Sequence, residues 1–337
     1  IDADDPTQMV AARYASPLVL GLGDDAGYVA SDIPAILSHT RRVVFLRDGV
    51  MAVVTPEGST LSRVDDGEEV PLEETQITWS PAMAEKGGYK HFMLKEIHEQ
   101  PEAIANTLRG RISQERGVVD LPELAPEVLR PEAPERVLSP TRIYMVACGT
   151  SWHAGLVGRY LMENLAGLAP HVELASEFRY RSAPIDDHTL VIAISQSGET
   201  ADTLAAIKDA RERGATIISI CNVLESSIPR ISHGTLYTHA GPEISVASTK
   251  AFTTQLAALH LLALHLGQQR GLISPEVMAE ELDALVRVPS TMERVLQDDS
   301  AYLGFARRWH EANSMLFLGR GNLYPLALEG ALKLKEI

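Results

Sequence analysis

Six consecutive residues, Ser195-Gln196-Ser197-Gly198-Glu199-Thr200, carry the sharpest chemical signal in the sequence. They follow the apolar run Leu190-Val191-Ile192-Ala193-Ile194 and precede a helical pattern over residues 202–213. Ser195, Ser197 and Thr200 could donate three hydroxyl hydrogen bonds, and backbone amides around Gly198 would point the same way at the helix start, which makes an anion site. A phosphate held in this manner needs neither lysine nor metal, and the Gly-Lys-Ser/Thr of a nucleoside-triphosphate loop is missing. The competing reading is that these residues only cap a helix. Two further polar turns weigh against it: Cys148-Gly149-Thr150-Ser151 after the run 143–147, and the stretch 241–250, containing Val246 and Ser248, which opens a long helix.

The other candidates are weaker. Gly21-Leu22-Gly23-Asp24-Asp25-Ala26-Gly27 has the wrong spacing for a dinucleotide fingerprint, and its two aspartates would repel a pyrophosphate; it reads as a surface turn. His91, His98 and Glu99 lack a third ligand at metal spacing and read as a solvated helix face, and His260 and His265 as histidines at the edge of a core. Cys148 sits where a thiolate would be stabilised but has no evident His or Asn partner for nucleophilic work. Lys333, Lys335 and Glu336, taken alone, are a charged helix face. Neither a metal nor a cofactor is called for.

The elements that must position these turns alternate. Buried-strand runs at 143–147, 190–194 and 216–220 are each unbroken by polar residues, and helical patterns at 151–165 and 202–213 follow the first two, with further helices expected at 248–267 and 275–309. This is the signature of a parallel sheet covered on both faces, an α/β doubly wound domain in which ligands bind beyond the carboxyl ends of the strands. Ahead of it, residues 1–75 hold short β-branched runs, with Asp48-Gly49 predicting a hairpin between 43–46 and 51–54. A helix is expected over 82–111, with Pro101 marking a break or second start, followed by a stretch, 121–140, whose five prolines and four glutamates read as an interdomain linker. Residues 145–151 and 317–323 both read as strand, glycine turn and helix start, so one module begins twice.

The chain has 337 residues and a formal net charge of −15, which disfavours nucleic acid as a partner. Its length suggests roughly two domains. The two cysteines, Cys148 and Cys221, are far apart and outside any CxxC pattern, consistent with a reducing, cytoplasmic setting. The longest apolar stretch, 256–266, is about half of what a spanning helix needs, so no membrane span is expected. No initiator Met or signal region begins the sequence, and the helical pattern 324–337 has no stop signal, so the chain reads as a piece of a longer protein.

Taken together, Cys148-Gly149-Thr150-Ser151, Ala175-Ser176-Glu177-Phe178-Arg179-Tyr180, the run 195–203 and the run Ser245-Val246-Ala247-Ser248-Thr249-Lys250-Ala251-Phe252-Thr253 closely resemble the glutamine:fructose-6-phosphate aminotransferase (isomerizing) family, the glucosamine-6-phosphate synthases. Leu318-Gly319-Arg320-Gly321 with residues 327–337 resembles the start of that family's second sugar-isomerase (SIS) module, and Ser16-Pro17-Leu18-Val19-Leu20-Gly21-Leu22-Gly23 with Ala30-Ser31-Asp32 the end of its class II glutaminase domain. Ala15 departs from the glycine usual there. The resemblance implies an SIS-type αβα sandwich preceded by the β-rich end of an Ntn-type α+β glutaminase domain. It implies boundaries at 1–75 (glutaminase remnant), 76–140 (linker), 141–285 (first SIS domain), 286–312 (helical connection) and 313–337 (start of the second SIS domain).

It further implies glutamine-dependent amination and isomerisation of fructose 6-phosphate to glucosamine 6-phosphate, with glutamine-derived ammonia delivered through an internal channel, in a homodimer. By this carry-over Ser195, Gln196, Ser197 and Thr200 hold the phosphate, and Thr150, Ser151, Val246 and Ser248 line the sugar. Glu336 moves the proton between C1 and C2 with Lys333 beside it, a role that suits a carboxylate because enediol chemistry needs one group to take and return a proton near neutral pH. The family's nucleophilic Cys and oxyanion-hole residues would precede Ile1, and its ring-opening His and Schiff-base Lys would follow Ile337, so this stretch alone is expected to lack synthase activity. Two other readings compete: a plain SIS-type sugar-phosphate isomerase, disfavoured by the β-rich remnant and second module, and a sugar-phosphate-sensing module, which would want a basic helix-turn-helix upstream.

Overall fold

The computed structural model describes residues 5–14, 17–77, 79 and 85–337. Ala15 and Ser16 of the early motif, and Ala82 at the start of the expected helix, lie outside the described residues. The chain divides into two compact units, Ile1–Lys90 and His91–Ile337.

The first unit is antiparallel β-structure. Strands β1 (Met9–Ala12), β5 (Val50–Thr55), β6 (Gly58–Arg63) and β7 (Glu69–Val70) form one sheet in the order β1-β5-β6-β7. Strands β2 (Val19–Leu22), β3 (Gly27–Ala30), β4 (Arg42–Phe45) and β8 (Thr75–Gln76) form a second, in the order β3-β2-β4-β8. The expected hairpin through Asp48-Gly49 is therefore corrected, since the turn carries the chain from one sheet to the other. Arg13 explains why: its buried guanidinium donates to Asp48 Oδ1 at 3.1 Å and to the Leu46 carbonyl at 2.8 Å, while Gly49 N donates to the Arg13 carbonyl. Leu20, Val44 and Leu46 from one sheet then share a core with Val50, Ala52, Val54 and Leu61 from the other. A local turn signal yields here to the burial that sheet-on-sheet packing provides.

The second unit opens with helix α1 (Phe92–Leu108). Pro101 neither breaks nor restarts it. A proline leaves the carbonyl four residues back without its amide donor; here Gln100 Nε2 donates to the Ile97 carbonyl at 2.9 Å and fills that place. After α1 come the short hairpin β9 (Ile112–Ser113) and β10 (Val118–Val119) and two single-turn helices, α2 (Pro126–Leu129) and α3 (Glu135–Leu138). The proline-rich stretch read as a linker is packed, because its prolines sit at the starts of tight turns while Leu121, Leu124, Leu129 and Val137 are buried in the unit's main core. Four such burials at about 1.5–3 kcal/mol each are ample reason for it to stay there.

Five parallel strands follow: β11 (Arg142–Ala147), β12 (His171–Leu174), β13 (Thr189–Ser195), β14 (Thr216–Cys221) and β15 (Gly234–Tyr237), in the order β12-β11-β13-β14-β15. The register sets Met145 beside Ile192 and Ile192 beside Ile218, and alternate residues feed opposite faces. Met145, Ile192 and Ile218 pack in a core shared with α1, α4 (Gly149–Leu161), α8 (Lys250–Gln269) and α9 (Pro275–Leu296). Tyr144, Val191 and Ile217 pack with α5 (Ala175–Phe178), α6 (Ala201–Glu212) and α7 (Ser227–Ile231) on the other face. Every residue of β13 is buried, which is why its sequence shows no alternation. The expected 275–309 helix is two, α9 and α10 (Ser300–Trp309). Phe317-Leu318, expected to start a second sheet, forms no ladder; the chain enters α11 (Leu323–Glu336) directly, and a strand without a neighbour has nothing to pair with.

Candidate sugar-phosphate site

Because β12 follows β11 on one side and β13 lies on the other, the sheet reverses its order between β11 and β13, and the carboxyl ends of those two strands flank the crevice where such folds bind ligands. Two of the chemically marked turns emerge there. After β11 come Cys148 and the start of α4 with Thr150 and Ser151; after β13 come Ser195 to Thr200 and the start of α6. Neither N-cap residue, Cys148 or Thr200, makes a side-chain capping bond. The Thr200 hydroxyl is thus not spent on helix capping, and both N-termini present positive dipole ends.

The loop itself is pre-formed. Ser195 Oγ lies 3.0 Å from Thr200 Oγ1 and accepts from Gly198 N at 3.0 Å, and Ser197 Oγ accepts from Glu199 N at 3.2 Å. Glu199 turns away from it, its carboxylate accepting from Ser227 N and Ser227 Oγ at 2.9 and 3.0 Å. Gly198 has φ +67°, and a Cβ there would meet Ser226 Oγ at 1.9 Å, so both backbone conformation and space demand glycine.

The third turn differs from the other two. Glu243 Oε1 accepts from Thr249 N at 2.8 Å and Ala251 N at 3.1 Å, and its Oε2 from Ser248 Oγ at 2.9 Å, so a carboxylate already occupies the α8 N-terminus. Burial pushes the Glu243 carboxyl up, with Glu96 adding to the rise, against the pull of those amides and the Ser248 hydroxyl. Glu96 of α1 holds the preceding residues: Ile244 N donates to it at 2.6 Å, Ser245 N at 3.1 Å, and the Ser245 hydroxyl donates as well. Val246, at the tip, is 95% exposed. Lys250 Nζ reaches back to Glu99 at 2.7 Å, so Glu99 is an ion-pair partner.

Further contacts tie these turns together. Cys148 Sγ lies 3.9 Å from Thr203 Oγ1, and Gln255 Nε2 of α8 donates to Ser151 Oγ at 2.9 Å. Thr150 Oγ1 donates to Glu329 Oε1 of α11 at 2.9 Å, and His153 Nδ1 lies 2.7 Å from Glu329 Oε2. On the same helix Lys333 Nζ donates to Glu336 Oε2 at 2.5 Å. Lys333 Nζ also lies 3.5 Å from Glu329 Oε1, so Lys333 and Glu336 join one charged row with the residue that α4 holds. Glu329, His153, Gln255, Glu243 and Glu96 were not singled out from sequence. A signal existed only for Glu329, which stands four and seven residues before Lys333 and Glu336 and so on their helix face. His260 pairs with Glu281 at 2.8 Å and His265 is buried against the Val119 carbonyl. Among the described residues no group of three side chains could hold a metal ion, and no helix is long and apolar enough to cross a membrane.

A doubly wound sheet with hydroxyl-rich turns at its switch point defines the sugar-isomerase class, and the SIS domain model matches residues 138–265. The C-terminal domain of glucosamine-fructose-6-phosphate aminotransferase from Francisella tularensis superposes with a TM-score of 0.69 at 40% identity, over 75% of this chain and 69% of that one. The glutamine--fructose-6-phosphate aminotransferases [isomerizing] of Clostridium tetani and Symbiobacterium thermophilum are 46% and 48% identical, each over 99% of this chain and 54% of their own length. The chain belongs to the glutamine--fructose-6-phosphate aminotransferase (isomerizing) family. It spans about half the length of the curated relatives it matches.

Proposed function

We propose that the full protein converts fructose 6-phosphate and glutamine to glucosamine 6-phosphate and glutamate, and that this stretch supplies the sugar-phosphate site. The observation that carries the reading is the Ser195–Thr200 loop at the switch point, three hydroxyls held by bonds within the loop and leading into a helix N-terminus that the Thr200 side chain does not cap. Ser195, Gln196, Ser197 and Thr200 hold the phosphate. Thr150, Ser151, Val246 and Ser248 line the sugar.

Water cleaves the glutamine amide to glutamate and ammonia; ammonia condenses with the C2 carbonyl of the opened sugar and releases water. Glu336 then takes a proton from C1 and returns one to C2, while the imine nitrogen gains a proton and the C1 hydroxyl gives one up, which leaves the aldehyde at C1 and the amine at C2. Lys333, 2.5 Å from Glu336 Oε2, steadies that carboxylate. The protein works as a homodimer in the cytoplasm.

The test is glutamine-dependent formation of glucosamine 6-phosphate by the full-length protein and its Glu336→Gln variant. Loss of a positioned acid–base lowers kcat by about 10²–10⁴, with fructose 6-phosphate still bound. A variant of undiminished kcat refutes the role of Glu336, and a full-length protein that isomerises the sugar phosphate without transferring nitrogen refutes the synthase reading.

A further inference from the structure

We infer that Glu329 is a positioning residue for the proton transfer, acting through Lys333 and fixing the direction of the Thr150 hydroxyl. The inference rests on the function proposed above. Glu329 is the buried member of an acidic and basic row on α11: its side chain is 7% exposed, that of Lys333 19% and that of Glu336 32%. Spaced at i, i+4 and i+7, the three lie along one helix face, and the row runs from a closed end against α4 to an open end.

An ionised carboxylate only accepts hydrogen bonds. Thr150 Oγ1 and His153 Nδ1 therefore both donate to Glu329, at 2.9 and 2.7 Å, and both residues belong to α4. Two consequences follow for the chemistry. The Thr150 proton is committed, so Thr150 offers a sugar hydroxyl only its oxygen lone pairs. The Lys333 ammonium stands between two carboxylates, 3.5 Å from Glu329 Oε1 and 2.5 Å from Glu336 Oε2. Sharing the cation between two carboxylates leaves Glu336 less tightly paired than it would be as the sole partner of that lysine.

Replacing Glu329 by glutamine keeps shape and hydrogen-bonding reach but removes the charge, so the ammonium falls wholly to Glu336. The full-length protein should then show a kcat about tenfold lower, with the KM for fructose 6-phosphate within twofold of wild type. A double-mutant cycle separates this from a structural role: Glu329→Gln is also measured in a Lys333→Met background, with radiolabelled fructose 6-phosphate so that slow rates are resolved. If Glu329 acts through Lys333, its replacement changes kcat less than twofold once Lys333 is gone. An equal loss in both backgrounds, or no loss in the wild-type background, overturns the inference. Wild-type protein that makes no glucosamine 6-phosphate would instead overturn the function on which it rests.

Discussion

Gly198→Ala is the substitution whose cost the structure specifies best. At φ +67° an alanine is held in the left-handed region, which costs about 1–2 kcal/mol. Its Cβ would also lie 1.9 Å from Ser226 Oγ, 2.8 Å from Ser226 Cβ and 3.3 Å from Pro229 Cδ. Ser226 is fully buried and its hydroxyl donates to the Val223 carbonyl at 2.8 Å, so it has no free rotation with which to make room. Overpacking of this kind adds about 1–3 kcal/mol, for a total of about 2–5 kcal/mol. Gly271→Ala is the matched control: the same φ of +67°, with nothing within 4 Å of its Cβ, should cost only the backbone part, about 1–2 kcal/mol. Urea unfolding followed through Trp152, with Trp79 and Trp309 changed to Phe, measures both. Equal costs for the two alanines would show that Ser226 does not crowd this loop, and the argument for a rigid pre-formed site would fail.

Two other outcomes follow from the same contacts. Glu96→Ala strips the acceptor from the Ile244 and Ser245 amides; with hydrogen bonds to a charged group contributing about 1.5–3 kcal/mol each, it should lower stability by several kcal/mol and raise the KM for fructose 6-phosphate, whereas an unchanged melting curve would mean the loop does not depend on α1. Burial holds the imidazoles of His233, His239, His260 and His265 below the ordinary histidine value. The unfolded chain therefore takes up these protons first, so their stabilisation is complete above about pH 6.5 and is lost as the pH falls below it. Glu243, with its raised carboxyl, works in the opposite sense but is one group against four. Tm at pH 5.5 should lie below Tm at pH 7.5, and an equal or higher value counts against neutral burial of these histidines.

Much of the parallel sheet could be read in advance, because β11, β13 and β14 are unbroken apolar runs whose burial needs no partner to be guessed. The short edge strands β12 and β15, four residues each, carry too little pattern to announce themselves. The first unit misled in one place: Asp48-Gly49 is a good turn signal, but which strands a turn joins depends on Arg13, thirty-five positions away. Pro101 misled because its compensation comes from the neighbouring Gln100 side chain. The hydroxyl loop was legible since its donors are contiguous. The carboxylates Glu96 and Glu329 were not, because each acts on backbone or side chains from another segment, and a lone glutamate in a helical pattern reads as a surface charge. Glu243 was not, because it closes its own turn by bonding a hydroxyl and two amides five to eight residues on, which spacing alone does not announce.

The most direct test of the account is calorimetric titration of fructose 6-phosphate into the full-length protein and its Ser197→Ala/Thr200→Ala variant. Two hydroxyl bonds to a charged phosphate, at about 1.5 kcal/mol each, amount to about 3 kcal/mol, so the variant should bind roughly a hundredfold more weakly. Unchanged affinity would place the phosphate elsewhere and contradict the assignment of this loop.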